Sequence, residues 1–199
     1  VELNGKNLGI YAFEEHFEKQ LLESQNRREG VIMKFDEEFF WKFRHEHGKP
    51  TEKYLPLYQT TYIKPFNRKK VKRSKALNRQ FLLGRDLCEM YWTMHPDVDV
   101  YLDIDRYTKY LAILTIVNSA THTIHWHNQR WYANPVTAKI EPVAFDFSDH
   151  FEYGKEENDF LEMLKDRHED DPIDLILTAP FRSAKMKEQY LKNLERMLE

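Results

Sequence analysis

Cysteine is nearly absent from this 199-residue sequence, which has only Cys88. An internal disulfide is therefore excluded. The compartment stays open, because a reducing environment and a cysteine-poor exported protein both fit this composition. Cys88 lies in an apolar, helix-patterned segment beside Leu87, Met90 and Tyr91. We expect a buried structural thiol there rather than a nucleophile.

Long apolar runs are also missing, since none approaches the roughly 20 residues that a membrane-spanning helix needs, and nothing resembles a signal peptide. Neither sign of charge dominates, because 30 basic and 33 acidic residues give a net charge of -3. We therefore expect neither a nucleic acid nor an anionic membrane as the partner. The 41% hydrophobic and 14% aromatic residues can form one folded domain. Because Val1 opens inside a predicted strand without an initiator methionine, we expect a piece of a longer protein.

The first third of the chain predicts short strands and one short helix. An Asn4-Gly5 turn predicts a hairpin whose second strand is Gly9 to Phe13. Phe17 to Glu23 has the pattern of a short helix, and Gly30 to Phe35 that of a strand. Trp41 to Thr61 is polar, dotted with aromatic residues and without periodicity, so we expect a long, partly ordered excursion.

Helices dominate the rest of the prediction. Ser74 and Asp103 are candidate N-caps for helices that reach about Met94 and Val117. Further helices are predicted at Phe160 to Lys165, Ile173 to Leu177 and Ala184 to Leu198. A basic cluster precedes Ser74 and either forms a solvated helix entrance or contacts an anion or polyphosphate; it comprises Lys64, Arg68, Lys69, Lys70, Lys72, Arg73 and Lys75.

Residues 118–150 hold the densest chemistry of the chain. They include the histidines His122, His125 and His127, the adjacent Asn128, and the aspartates Asp146 and Asp149. The pattern predicts a hairpin with strands Gln129 to Ala133 and Lys139 to Phe145 around a turn at 134–138. Such a hairpin brings Asp146 back beside Asn128.

An amide oxygen and a carboxylate at one place suit Mg²⁺ or Mn²⁺ that also holds phosphate oxygens. Protein kinases build their metal site from a catalytic-loop asparagine and a later aspartate, and Asn128 and Asp146 follow that order. Asp149 has two interpretations, since it either supports the metal or caps the chain entering the loop at His150.

Two stretches resemble one known family. L-N-G-K-N-L-G-I-Y-A-F-E-E at 3–15 is similar to a strand pair of the spore coat protein H (CotH) kinase-like family. H-N-Q-R-W-Y-A-N-P at 127–135, with A-K-I-E-P-V-A-F-D at 138–146, resembles the metal-binding hairpin of that family. The resemblance identifies the chain as a member of this group of atypical protein kinases.

The resemblance implies an α+β, partial protein-kinase-like fold, in which a small antiparallel sheet is followed by a mostly helical lobe carrying a metal-binding β-hairpin. Residues 1–63 would hold small-lobe strands and the excursion, and 64–199 the helical lobe, within a single domain. The implied reaction transfers a phosphoryl group from ATP, with Mg or Mn, to a hydroxyl of a protein substrate such as a coat or envelope protein. Asn128 and Asp146 would bind the metal, and Glu15 would lie near the nucleotide pocket.

Two departures from the kinase pattern bear on activity. The catalytic aspartate expected five residues before Asn128 is replaced by Thr123, so that His122 or His125 would have to accept the proton. The upstream Arg-Gly-Asn segment and the lysine that contacts ATP phosphates do not precede Val1. Lys34 either replaces that lysine or extends from a strand end into solvent.

Two other functions stay open. The three histidines with Asp146 or Asp149 would suit a zinc or iron hydrolase, because His125 and His127 share one side of a strand. Alternatively, the domain is an inert kinase-like scaffold, or pseudokinase, that binds a coat or envelope protein. Its binding face, or equally a small apolar core under a long loop, would be formed by aromatic residues, namely Phe39, Phe40, Trp41, Phe43, Tyr54, Tyr58 and Tyr62.

Overall fold

The computed structural model of the protein describes residues 2–10, 15–48, 62–117, 119, 128–146 and 179–199. The strands in these ranges are β1 (Glu2–Leu3), β2 (Lys6–Asn7), β3 (Val31–Phe35), β4 (Ile63–Pro65), β5 (Arg130–Asn134) and β6 (Lys139–Pro142). The helices are α1 (Lys19–Ser24), α2 (Glu38–His47), α3 (Arg68–Arg73), α4 (Lys75–Trp92), α5 (Val98–Tyr101), α6 (Ile104–Ile116) and α7 (Ala184–Leu198). A 3₁₀ turn at Ala179–Arg182 precedes α7.

Four of the strands form one antiparallel sheet in the order β4-β3-β5-β6. In this sheet Lys34 lies opposite Lys64 on one side and Arg130 on the other. Because successive side chains of a strand point to opposite faces, these three cations share a face with Ile32. The two faces of the sheet therefore differ in character.

The inner face of the sheet is apolar and carries the main core. Met33 of β3 is fully buried among side chains of α4 and α6, including Cys88 and Leu111. Helix α4 approaches so closely that a Cβ added at Gly84 would lie 2.7 Å from the Met33 Cε and 2.7 Å from the Ala133 Cβ. Any larger residue at position 84 would therefore crowd the side chains of the sheet at this crossing.

A smaller apolar cluster covers part of the outer face. Leu22 of α1 packs with Ile32 and Tyr132, and Phe17 and Phe66 extend the cluster. Beyond it lie the charged residues of the same face, so the outer face changes from apolar to cationic along the strands. This transition positions the candidate site described below.

Several predictions are confirmed. Ser74 caps α4 by accepting a hydrogen bond from the Leu77 N–H at 3.3 Å, and Asp103 caps α6 in the same way from Arg106 at 3.0 Å. Helix α7 has the predicted bounds. Cys88 is fully buried, and burial raises the pKa of its thiol, as expected for a structural residue.

Other predictions need correction. The second strand of the first hairpin is Lys6–Asn7 rather than Gly9 to Phe13, because Asn4 and Gly5, with φ of 52° and 74°, form a tight two-residue turn. Of that predicted strand, residues 11–13 lie outside the described residues.

The predicted excursion from Trp41 begins inside a helix. Helix α2 runs from Glu38 to His47, and contacts between positions four apart support it. The Trp41 Nε1 donates to Glu37 at 2.9 Å, and the Phe43 and His47 rings stack at 4.5 Å. Residues 49–61 of the excursion lie outside the described residues, as do the helices predicted at 160–165 and 173–177.

The basic segment before Ser74 also contains a strand and a helix that the sequence analysis did not predict. Asn67 caps α3 by accepting a hydrogen bond from the Lys70 N–H at 3.1 Å. Strand β4 places Lys64 beside β3.

The architecture is α+β, with small antiparallel sheets and helices, and is consistent with a partial kinase-like fold. One sheet joins strands from residues 1–63 to strands from the later part, and the division at residue 63 stays a prediction. None of the helices in the described ranges is long and apolar enough to cross a membrane.

Candidate active site

The predicted hairpin is confirmed, with shifted bounds. Strands β5 and β6 pair from Asn134 opposite Lys139 to Trp131 opposite Pro142. The ladder continues one step further, where the Val143 N–H donates to the Arg130 carbonyl at 2.8 Å. The residues before β5 and after β6 therefore lie at the same end of the hairpin, and these include Asn128 and Asp146.

Asn128 and Asp146 differ in their surroundings. Asn128 is buried, with 4% of its surface exposed, whereas Asp146 is exposed. The φ of Asp146 is 51°, in the left-handed region that aspartate tolerates better than most residues. The chain thus turns sharply at the candidate metal ligand.

A buried arginine, Arg130, lies at the end of the hairpin where β5 begins and β6 ends. The Arg130 Cζ is 4.1 Å from the ring centre of Phe145, 5.6 Å from that of Phe66 and 5.8 Å from that of Phe17. We call these three rings the Arg130 cage. Guanidinium groups favour aromatic faces through dispersion and cation–π attraction. Because Phe145 directly precedes Asp146, the cage links β5 to the backbone of the candidate ligand.

Glu37 compensates the charges of two cations at this point. Its Oε1 is 3.7 Å from the Lys34 Nζ and 3.9 Å from the Arg130 Nη2. The side chain of Glu37 is only 17% exposed, and its Oε2 accepts a hydrogen bond from Trp41. A lysine and a glutamate thus form an ion pair next to the end of the hairpin.

A second buried network anchors the segment that follows Asn128. The Trp131 Nε1 donates to the Gln129 Oε1 at 3.2 Å, and Gln129 also hydrogen-bonds to Tyr91 of α4. The Tyr91 and Tyr107 hydroxyls are 3.2 Å apart. Burial raises the pKa of Tyr91 to about 12, while its hydrogen bond to Tyr107 opposes this shift. The network connects the start of β5 to α4 and α6.

The other predicted site residues are not all brought together. Glu15 accepts a hydrogen bond from the Ser24 Oγ at 3.1 Å, which ties it to the end of α1. Within the described residues Glu15 forms no ion pair with Lys34, whose carboxylate partner is Glu37. His122, His125, His127 and Asp149 lie outside those residues, as does Thr123. Their roles remain predictions.

The donor chemistry at the end of the hairpin fits a hard cation. Across the described ranges, no group of three or more His, Cys, Asp or Glu side chains is arranged to hold a metal. Mg²⁺, however, is commonly held by one or two carboxylates, with water and phosphate oxygens as its other ligands. The amide oxygen of Asn128 and the carboxylate of Asp146 are donors of this type.

Sequence analysis missed Glu37 and the role of Arg130. The signal for Glu37 was the acidic run Asp36-Glu37-Glu38 directly after an apolar strand. The signal for Arg130 was a basic residue in an otherwise apolar strand two positions after Asn128. Neither signal identifies the partner, because β3 and β5 are far apart in the chain.

The fold and site are those of an α+β domain in which a small antiparallel sheet and its hairpin collect polar and charged side chains at one end. A family model described as CotH kinase protein matches residues 1–199, which is the whole chain. The chain belongs to the CotH kinase family. Comparisons with curated proteins and with solved structures gave no match.

Proposed function

We propose that this domain catalyses metal-dependent phosphoryl transfer from ATP to a hydroxyl of a protein substrate. The supporting observation is that Asn128 and Asp146 flank one end of the hairpin, where Arg130 and Lys34 share Glu37. Phosphoryl transfer needs positioning and stabilisation of negative charge rather than covalent chemistry from the protein. Membership of the CotH kinase family supports the same reaction.

Asn128 and Asp146 would hold Mg²⁺ or Mn²⁺, and Asp149 would support it. Such an ion neutralises charge on phosphate oxygens when it is bound. Lys34 would contact phosphate oxygens, since its side chain is 35% exposed and its ammonium group lies 3.7 Å from the Glu37 Oε1. Glu15 would contribute to the nucleotide pocket.

Arg130 would act as a positioning residue, because its charge is compensated by Glu37 and its guanidinium lies within the Arg130 cage. His122 or His125 would accept the proton of the attacking hydroxyl, as Thr123 cannot.

The replacement of the usual catalytic aspartate by Thr123 favours a second function, an inert kinase-like scaffold for a coat or envelope protein. Such a scaffold would keep the nucleotide site without transferring phosphate. The two functions differ in one observable, the transfer of labelled phosphate to an acceptor protein.

The test combines binding and transfer. Mg²⁺ with ATP is expected to raise the melting temperature, by roughly 3 °C for each kcal/mol of binding stabilisation. Asp146→Asn is expected to abolish the shift, and the exposed Asp86→Asn serves as the matched control. Transfer from radiolabelled ATP to a generic acceptor protein, lost in Asp146→Asn, supports the kinase.

Other results would argue against the kinase. A shift without transfer supports the scaffold, and a shift with zinc alone supports a histidine cluster at His122, His125 and His127. No response to Mg²⁺ or Mn²⁺ with ATP overturns the proposal.

A further inference from the structure

A groove of about 390 Å³ lies along β4, and its described lining includes no residue of β3. Among the described strands β4 is the outermost of its sheet, and residues of helices α3 and α4 complete the lining of the groove. The groove lies apart from the hairpin that carries Asn128 and Asp146. Its lining includes Ile63, Pro65, Arg68, Val71, Lys72 and Phe81.

The backbone of β4 directs hydrogen-bonding groups away from the sheet. The Tyr62 carbonyl accepts a bond from the Asp36 N–H at 2.7 Å, and the Phe66 N–H donates to a β3 carbonyl at 3.1 Å. In an antiparallel pair, the backbone N–H and C=O groups of successive residues point alternately towards and away from the neighbouring strand. The N–H and C=O of Ile63 and the C=O of Pro65 therefore point away from β3. Outward backbone groups of this kind are the template for adding another strand.

The buried and half-buried side chains of the groove are apolar, and the exposed ones at its rim are cationic. Val71 is buried and Phe81 is half-buried. Arg68 and Lys72 are exposed and lie four residues apart on α3, so they project from the same side of the helix. In the described part of the chain neither forms an ion pair, whereas Lys64 contacts Asp36 and Glu38.

We propose that this groove binds an extended acidic peptide segment of a partner protein, which adds a strand to the edge of β4. Backbone hydrogen bonds to Ile63 and Pro65 would supply part of the affinity. Alternate apolar side chains would face Val71 and Phe81, and the carboxylates would pair with Arg68 and Lys72. The inference does not depend on phosphoryl transfer, since binding requires neither ATP nor a metal.

The test is fluorescence anisotropy with a labelled peptide that alternates aspartate or glutamate with valine or phenylalanine, added to the whole chain without nucleotide. Reversing the rim with Arg68→Glu and Lys72→Glu is expected to weaken binding by roughly tenfold. It should also create binding of the peptide in which lysine replaces every acidic residue. The matched control is Lys69→Glu with Arg73→Glu, which makes the same charge change on the same helix outside the groove lining and should leave binding unchanged.

Backbone pairing is tested with the same peptide N-methylated at alternate positions, which removes donors without changing charge. Loss of binding on methylation of one of the two alternate sets supports strand addition. The proposal is overturned if the acidic peptide does not bind, if both double variants weaken binding equally, or if neither methylated set binds less tightly. Equal competition by a single-stranded oligonucleotide would replace it with a nucleic-acid site.

Discussion

The guanidinium of Arg130 stacks on the ring of Phe145, 4.1 Å from its centre, and so joins the start of one hairpin strand to the residue before Asp146. Arg130→Met is expected to lower the free energy of unfolding by about 2 kcal/mol, because it leaves the carboxylate of Glu37 with one buried cation fewer. Urea denaturation measures the change. In the double variant with Glu37→Gln, part of the loss should be recovered; strictly additive losses would contradict the pairing.

Two arginines lie near the buried carboxylate of Glu141, and they differ in exposure: Arg27 is largely buried and Arg106 is exposed. Arg27 is 14% exposed, pairs with Glu141 at 2% exposure, and lies 4.2 Å over the Tyr132 ring. Arg27→Met should cost about 3 kcal/mol, because a buried carboxylate loses its partner. Arg106→Met is the matched control. Arg106 is 61% exposed and 4.0 Å from the same carboxylate, so the control should cost less than about 1 kcal/mol in chemical denaturation.

Stability should decline in alkaline solution because of the buried tyrosines. Burial raises the pKa of Tyr91 to about 12, whereas a tyrosine of the unfolded chain ionises near pH ~10. The stabilisation is fully present below the unfolded pKa and is lost as the pH rises towards the folded one, because only the unfolded chain releases the proton there. Between these two pH values, the slope of the unfolding free energy against pH reflects the protons released on unfolding. Tyr91→Phe should reduce that number by about one.

Gly84→Ala tests the close approach of α4 to the sheet. Alanine gains about 1 kcal/mol in helix propensity, but the new Cβ would lie 2.7 Å from the Ala133 Cβ and from the Met33 Cε. We expect a net loss of about 1–2 kcal/mol from overpacking, seen as a lower melting temperature. Arg79→Ala, at an exposed position of the same helix, should leave the melting temperature nearly unchanged. A stabilised Gly84→Ala variant would show that the crossing has room.

Local sequence patterns predicted those helices and strands whose boundaries are set by residues close by in the sequence. Ser74 and Asp103 were identified as caps because a side-chain oxygen before a periodic apolar run satisfies the first free N–H groups. Helix α7 followed from its spacing, and the β5-β6 hairpin from two apolar runs around a polar turn.

What could not be predicted depends on contacts between distant residues. Strand β4 is three residues long and contains a proline and a lysine, so it shows no alternation. The roles of Arg130 and Glu37 require β3 to pair with β5, and no local pattern specifies this pairing. The hairpin of the candidate site was therefore predicted, but the ion pairs and aromatic rings around it were not.

The pairing of Val31 with Ala133 has a consequence for synthesis on the ribosome. Strand β3 leaves the exit tunnel long before β5 has been translated. Until then, the edge of β3 that pairs with β5 has no partner strand. During that interval Met33 and Phe35, both buried in the finished sheet, would be open to unwanted association. The nascent chain should therefore be more prone to capture by chaperones before residue 133 emerges than after it.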